Sequence, residues 1–175
     1  MSDDLNPATS APVSLFPEVI LALAARVVAE NRAAGRSIAL AESCTGGLVA
    51  AAITEIAGSS AVLDRGFVTY SNESKHELLA VSSDIIDTFG SVSIACAWAM
   101  ARGALLKSSA DVAVAISGIA GPDGGTVQKP VGTVVFARAI RGSDEVTAEE
   151  RFLVATSRAD VRYQATLVAL ELLLP

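Results

Sequence analysis

Ala41-Glu42-Ser43-Cys44-Thr45-Gly46-Gly47 places a carboxylate, two hydroxyls, a thiol and two glycines in consecutive positions. Before it, Ser37-Ile38-Ala39-Leu40 is short and apolar, as a strand is; after it, Val49, Ala52, Ile53 and Ile56 fall at helical spacing and mark one buried face. The turn is therefore strand-to-helix. The first N–H groups of such a helix point out of its N-terminus, where the dipole favours negative charge, so an anion or a developing oxyanion fits there. Gly46 and Gly47 would let a ligand approach the backbone, within reach of the Ser43 and Thr45 hydroxyls. Ser and Thr before a helix are also ordinary N-caps. One cap needs one hydroxyl, however, and this run sacrifices more helix and strand propensity than capping requires. The excess marks an active-site turn.

Outward from the turn, Phe16, Val19, Ile20, Leu23 and Val27 trace a helix that ends near Gly35. Residues 1–14, with two prolines and scattered small polar residues, predict a mobile leader, which leaves 15–175 as a single domain. Ala61 to Tyr70 reads as a strand with an irregularity at Gly66, and Asn72 to Leu79 as a short helix capped by Ser71 or Asn72. Polar turns through Ser82-Ser83 and Phe89-Gly90 lead to a long helix with Ile94, Ala97, Trp98, Ala101 and Leu105 on one face. Asp111 to Ile116 is apolar on both faces, as a central strand is, and runs into the glycine-rich Ser117-Gly118-Ile119-Ala120-Gly121-Pro122-Asp123-Gly124-Gly125 loop. Val131–Ile140 and Val146–Val154 suit an antiparallel hairpin, and a last helix from about Ser157 buries Val161, Ala165, Val168 and Leu172. The alternation predicts an α/β fold: a three-layer α/β/α sandwich around a mixed, mostly parallel sheet of about five strands, with ligands at the strand C-terminal ends.

A chain of 175 residues with 51% hydrophobic content is long enough to bury a proper core. Its net charge of −6 and lack of basic runs argue against nucleic acid as a partner. The longest charge-free run, Thr88 to Ala101, falls short of the about 18 residues of a membrane span, and a soluble, cytoplasmic protein is expected. Two cysteines, Cys44 and Cys96, and one histidine, His76, build no familiar metal cluster, so no metal is expected. A homo-oligomer, dimer or larger, is expected.

If Ser43 is a nucleophile it needs a base, and one histidine and three lysines exhaust the ordinary candidates. Lys107 sits near a helix end and Lys129 in the glycine-rich segment, both ordinary places for a solvated lysine. Lys75 and His76 are adjacent on one helix and cannot face the same way. The helix N-terminus and partial burial would both lower the Lys75 pKa toward the neutral amine that a base must be, which favours Lys75. His76 with Ser43 and an acid is the other standard arrangement, and Cys44 the other nucleophile.

Together with Gly66-Phe67-Val68-Thr69-Tyr70-Ser71-Asn72, Lys75, the Ser117–Gly125 loop and Lys129-Pro130-Val131-Gly132-Thr133-Val134, the turn resembles the CinA C-terminal domain family from Phe16 to the end. That family is associated with hydrolysis of nicotinamide mononucleotide to nicotinate mononucleotide and ammonia in pyridine-nucleotide recycling. The resemblance implies Ser43 as nucleophile, Lys75 as base and Tyr70 beside them. It implies a pocket for a small nucleotide formed by Thr45, Gly46 and Gly47 with Ser117, Gly118 and Gly121, phosphate held by Arg158 or Arg162, and no cofactor. Longer members carry an additional N-terminal domain resembling molybdopterin-binding proteins, in whose place only the short leader is expected here. The alternative is a non-catalytic nucleotide-binding module in which Lys75 pairs with phosphate.

Overall fold

The three inner strands of this protein alternate in size rather than in polarity. In β1 (Ile38–Glu42), β3 (Val112–Gly118) and β4 (Thr133–Ile140), the side chains of Ile38, Leu40, Val112, Val114, Ile116, Val134 and Phe136 enter one core. Those of Ala39, Ala41, Ala113, Ala115, Val135, Ala137 and Ala139 enter another. Both faces are buried, so helices must cover both. In the computed structural model, which describes residues 14–175, they do. The leader expected over residues 1–14 lies, apart from Ser14, outside the described residues.

Helices α1 (Glu18–Ala33), α2 (Leu48–Thr54) and α6 (Arg158–Leu172) cover the face of large residues. Helices α3 (Asn72–Leu79), α4 (Ser83–Phe89) and α5 (Ile94–Leu106) cover the alanine face. The small residues let helices approach closely: a Cβ on Gly103 of α5 would collide with the carbonyl of Leu79 in α3. With β2 (Leu63–Val68) and β5 (Val146–Phe152) the sheet order is β2-β1-β3-β4-β5. β1 pairs in parallel with both β2 and β3, while β4 is antiparallel to both β3 and β5, so four strands run one way and β4 against them. This is the expected three-layer sandwich around a mixed, mostly parallel sheet.

Several local expectations are corrected. The long helix α5 buries Cys96, Ala97, Met100, Ala101, Gly103 and Ala104, whereas Ile94 and Trp98 are exposed. The alanine-surfaced sheet receives α5 through Met100 and the helix's small residues, and Trp98 is left outside beneath the Arg102 guanidinium. The supposed polar turns after Leu79 contain α4, started by the Ser82 hydroxyl, which accepts from the Asp84 N–H. The irregularity in β2 falls at Asp64, skipped between the Ile38↔Leu63 and Ala39↔Arg65 pairs, while Gly66 pairs in register with Leu40. No helix among the described residues is long and apolar enough to cross a membrane.

Candidate active site

Parallel strands leave their carboxyl ends facing one crevice, and β1, β2 and β3 each deliver a residue of interest there. Strand β1 runs two residues further than its apolar run suggests, so Glu42 belongs to it and the turn proper begins at Ser43. The Ser43 N–H donates to the Ile116 carbonyl at 2.9 Å, continuing the β1–β3 ladder and pinning the serine at the strand end. The chain then reverses: the Gly46 N–H donates to the Ser43 carbonyl at 3.0 Å, and Gly46 (φ +62°) and Gly47 (φ +95°) take left-handed conformations that suit glycine.

The helix N-terminus that follows is already occupied. The Glu42 side chain, 1% exposed, folds beneath the turn and accepts from the N–H groups of Gly47 (3.0 Å), Val49 (3.2 Å) and Ala50 (2.9 Å). The Gly46 and Gly47 amides are thus spent inside the protein, which corrects the expectation that they meet an anion. An internal carboxylate satisfies the orphan donors and the helix dipole instead.

Lys75 reaches the same point from α3. It is 1% exposed, and its Nζ lies 3.1 Å from Ser43 Oγ, 2.8 Å from the Thr69 carbonyl and 3.5 Å from the Tyr70 carbonyl. Among the described residues no carboxylate forms a salt bridge with it. Burial pushes its pKa below the ordinary lysine value of 10.5, with the Cys96 and Cys44 thiols opposing that shift. A buried amine without a counter-ion favours the neutral form, and a neutral amine beside a serine hydroxyl accepts its proton. His76 points elsewhere: its Nδ1 lies 2.9 Å from the Val81 carbonyl, and it lines a separate depression between α3 and α4. Lys129 donates to the carbonyls of Phe89 and Val92, so neither His76 nor Lys129 competes for Ser43. The Cys44 thiol is pushed up to about 11 by burial and is protonated at neutral pH.

A cavity of about 180 Å³ opens above this pair. Ser43, Cys44, Lys75, Ser117, Gly118 and Ala120 line it together with Ser91 and Val92, and Tyr70 and Arg158 stand in its wall. Ser117 Oγ donates to the Ser91 carbonyl at 2.8 Å, fixing the Ser91–Val92 segment. Gly118 packs on the turn so tightly that a Cβ would come within 3.1 Å of Cys44 Sγ and 2.8 Å of Val134 Cγ2. Arg158, the first residue of α6, donates to the Gly121 carbonyl and to Tyr70 Oη, each at 2.7 Å.

Thr45, Gly46, Gly47, Gly121 and Arg162, expected in the pocket, do not line it. Thr45 is wholly buried, and its Oγ1 has no hydrogen-bond partner among the described residues. Gly121 contributes through its carbonyl, which anchors Arg158. Although Arg158 and Arg162 are one helical turn apart, Arg162 turns to the far side of the 43–47 turn, where its Nε donates to the Cys44 carbonyl (3.2 Å) and its Nη2 to the Thr45 carbonyl (2.9 Å). Arg158 borders the cavity, whereas Arg162 is bonded to the backbone of the turn and lies outside the cavity lining. Ala120 belongs to the Ser117–Gly125 loop expected to line the pocket, whereas Ser91 and Val92 were not anticipated, since nothing in the local sequence distinguishes them from a surface turn.

The CinA C-terminal domain family model matches residues 20–175. The nicotinamide-nucleotide amidohydrolase PncC of Enterobacter agglomerans is 51% identical over 149 residues, covering 85% of this chain and 90% of that protein. A CinA-like protein of Mycolicibacterium vanbaalenii is 54% identical over 140 residues, covering 80% of this chain but 33% of the longer relative. Among solved structures, the competence/damage inducible protein CihA from Agrobacterium tumefaciens superposes with a TM-score of 0.88 at 48% identity, covering 91% of this chain and 96% of its own.

Proposed function

Because this chain belongs to the CinA C-terminal domain family, we propose that it is a nicotinamide-nucleotide amidohydrolase, converting nicotinamide mononucleotide to nicotinate mononucleotide and ammonia with Ser43 as nucleophile and Lys75 as base. The observation that carries the mechanism is the 3.1 Å separation between Ser43 Oγ and a buried Lys75 Nζ. The neutral amine takes the hydroxyl proton as Oγ attacks the carboxamide carbon. The tetrahedral intermediate then expels nitrogen, which leaves as ammonia after taking that proton from the Lys75 ammonium. An ester on Ser43 remains, and a water molecule deprotonated by Lys75 cleaves it to the carboxylate and restores both side chains. The Thr69 carbonyl, 2.8 Å from Nζ, holds the amine in place through the cycle.

Arg158 is the phosphate ligand in this reading. It stands in the pocket wall, its two 2.7 Å bonds to Gly121 and Tyr70 leave further guanidinium N–H groups, and the Gly46 and Gly47 amides are already committed to the Ser43 carbonyl and to Glu42. A chain of net charge −6 must hold a phosphate dianion by such a local donor. Tyr70, fixed by Arg158, borders the substrate on the same side. The enzyme works in the cytoplasm, consistent with two free cysteines, and as a homo-oligomer, for which exposed Phe152 and Val154 at the end of edge strand β5 offer apolar surface. Ammonia release from nicotinamide mononucleotide by the purified chain tests the reading; no release above a Ser43→Ala control would refute it.

A further inference from the structure

The link from α4 to α5, Gly90 to Ser93, brings Ser91 and Val92 to the cavity. It belongs to neither helix nor sheet, and Gly90 takes a positive φ of 84°. Among the described residues each carbonyl from Phe89 to Val92 accepts from a side chain and none from a backbone N–H. Ser93 Oγ donates to the Gly90 carbonyl and Ser117 Oγ to that of Ser91, both at 2.8 Å. The other two carbonyls, Phe89 at 2.9 Å and Val92 at 2.6 Å, share the Lys129 ammonium, which so brackets Gly90 and Ser91. The stretch that carries Lys129 is tied to a different part of the lining. The Gly132 N–H donates to the Ile119 carbonyl (2.8 Å) and the Ile119 N–H to the Thr133 carbonyl (2.9 Å), between the lining residues Gly118 and Ala120. Thr126 sets the lysine itself: its N–H donates to the Lys129 carbonyl at 2.8 Å, and its Oγ1 accepts from the Lys129 N–H at 3.0 Å. Among the described residues no carboxylate forms a salt bridge with Lys129. Its charge is spent on two carbonyls, and hydrogen bonds from a cation are the strong ones.

We propose that Lys129 is a positioning residue of this site: by clamping the Ser91–Val92 segment to the Gly118–Ala120 segment it sets the fit of the substrate above Ser43. The lysine is outside the cavity lining and acts only through the backbone it holds. Ser43 and Lys75 do not depend on it, since the Ile116 carbonyl fixes the serine N–H and the Thr69 carbonyl the amine. A wall that meets the substrate before and during the reaction contributes uniform binding, so its loss falls on KM rather than on kcat. The amidase reading of Ser43 underlies this assignment.

The test compares the parent with Lys129→Met, which keeps the stem and deletes the donors, and with Lys129→Arg, which restores them. Ammonia release is followed from nicotinamide mononucleotide and from its dephosphorylated riboside. Sulfonylation of Ser43 by methanesulfonyl fluoride, read by mass spectrometry, reports on the nucleophile and its base with a reagent too small to need the wall. Lys129→Met should raise KM for the nucleotide by about 10- to 10²-fold, the upper end being the usual cost of a misplacement of about 1 Å, with kcat and the sulfonylation rate within about threefold. The fall in kcat/KM should be the same for nucleotide and riboside, and Lys129→Arg should recover part of it. An unchanged KM overturns the proposal, as does a sulfonylation rate that falls with kcat/KM. A loss confined to the nucleotide would make Lys129 a phosphate ligand and overturns it equally. Should Lys129→Met not fold, Lys129→Gln, a neutral donor on a shorter stem, carries the same expectations. An inactive parent, or an active Ser43→Ala protein, would instead refute the amidase reading beneath it.

Discussion

Lys75 Nζ lies 3.1 Å from Ser43 Oγ across 32 positions of sequence, while His76, its immediate neighbour, is held to the Val81 carbonyl on the other side of the helix. Adjacent residues on a helix diverge by about 100°, so choosing one for the site removes the other.

Ser43→Ala should abolish turnover while substrate binding and thermal unfolding stay near those of the parent, measured by calorimetry and circular dichroism. Cys44→Ala should keep most activity, because a buried thiol pushed up to about 11 supplies almost no thiolate at neutral pH. A dead Cys44→Ala protein beside an active Ser43→Ala protein would reverse the nucleophile.

Lys75→Ala and Lys75→Arg should each lose about 10²–10⁴ in kcat/KM, whereas His76→Ala should change it little. The pH profile carries the sign. Burial lowers the Lys75 pKa below 10.5, so the base form grows as pH rises, and kcat/KM should climb with pH to a plateau below the ordinary lysine range. The same shift makes the folded state release the proton before the unfolded chain does. Its contribution to stability therefore increases with pH from the lowered value up to 10.5. A flat profile through that window would remove Lys75 as the base.

Arg158→Ala should raise KM for nicotinamide mononucleotide and leave activity on the dephosphorylated riboside unchanged, so that preference for the nucleotide collapses. Tyr70→Phe deletes the oxygen that one Arg158 Nη bonds and should reproduce part of the effect. Undiminished preference in Arg158→Ala would send phosphate recognition to another residue.

Glu42→Ala should cost about 3 kcal/mol or more of stability, since it strands three amides that the carboxylate now satisfies in the interior. Urea unfolding monitors this directly. A loss under about 1 kcal/mol would mean that the turn holds without its internal anion.

Sequence alone was enough for the layer architecture, because it is encoded locally. Alternation of strand and helix, the both-face apolarity of Val112–Ile116 and the short link between β4 and β5 each report on near neighbours. The glycine-flanked turn, too, declared itself by an excess of polar and flexible residues over what capping requires. What tertiary structure decided is which polar group meets which. Nothing in the spacing of Glu42 announces that its carboxylate folds back onto its own turn, or that Arg158 and Arg162, four residues apart, part to opposite sides of it. Nor does the pattern of α5 reveal that Met100 and its small residues rather than Trp98 face the sheet, since that choice belongs to the alanines of strands far away in sequence. Periodicity measures how a segment divides between core and solvent. The pairing of a buried charge with its donors depends on the close packing of side chains from segments tens of residues apart, which only the folded chain brings within hydrogen-bond distance.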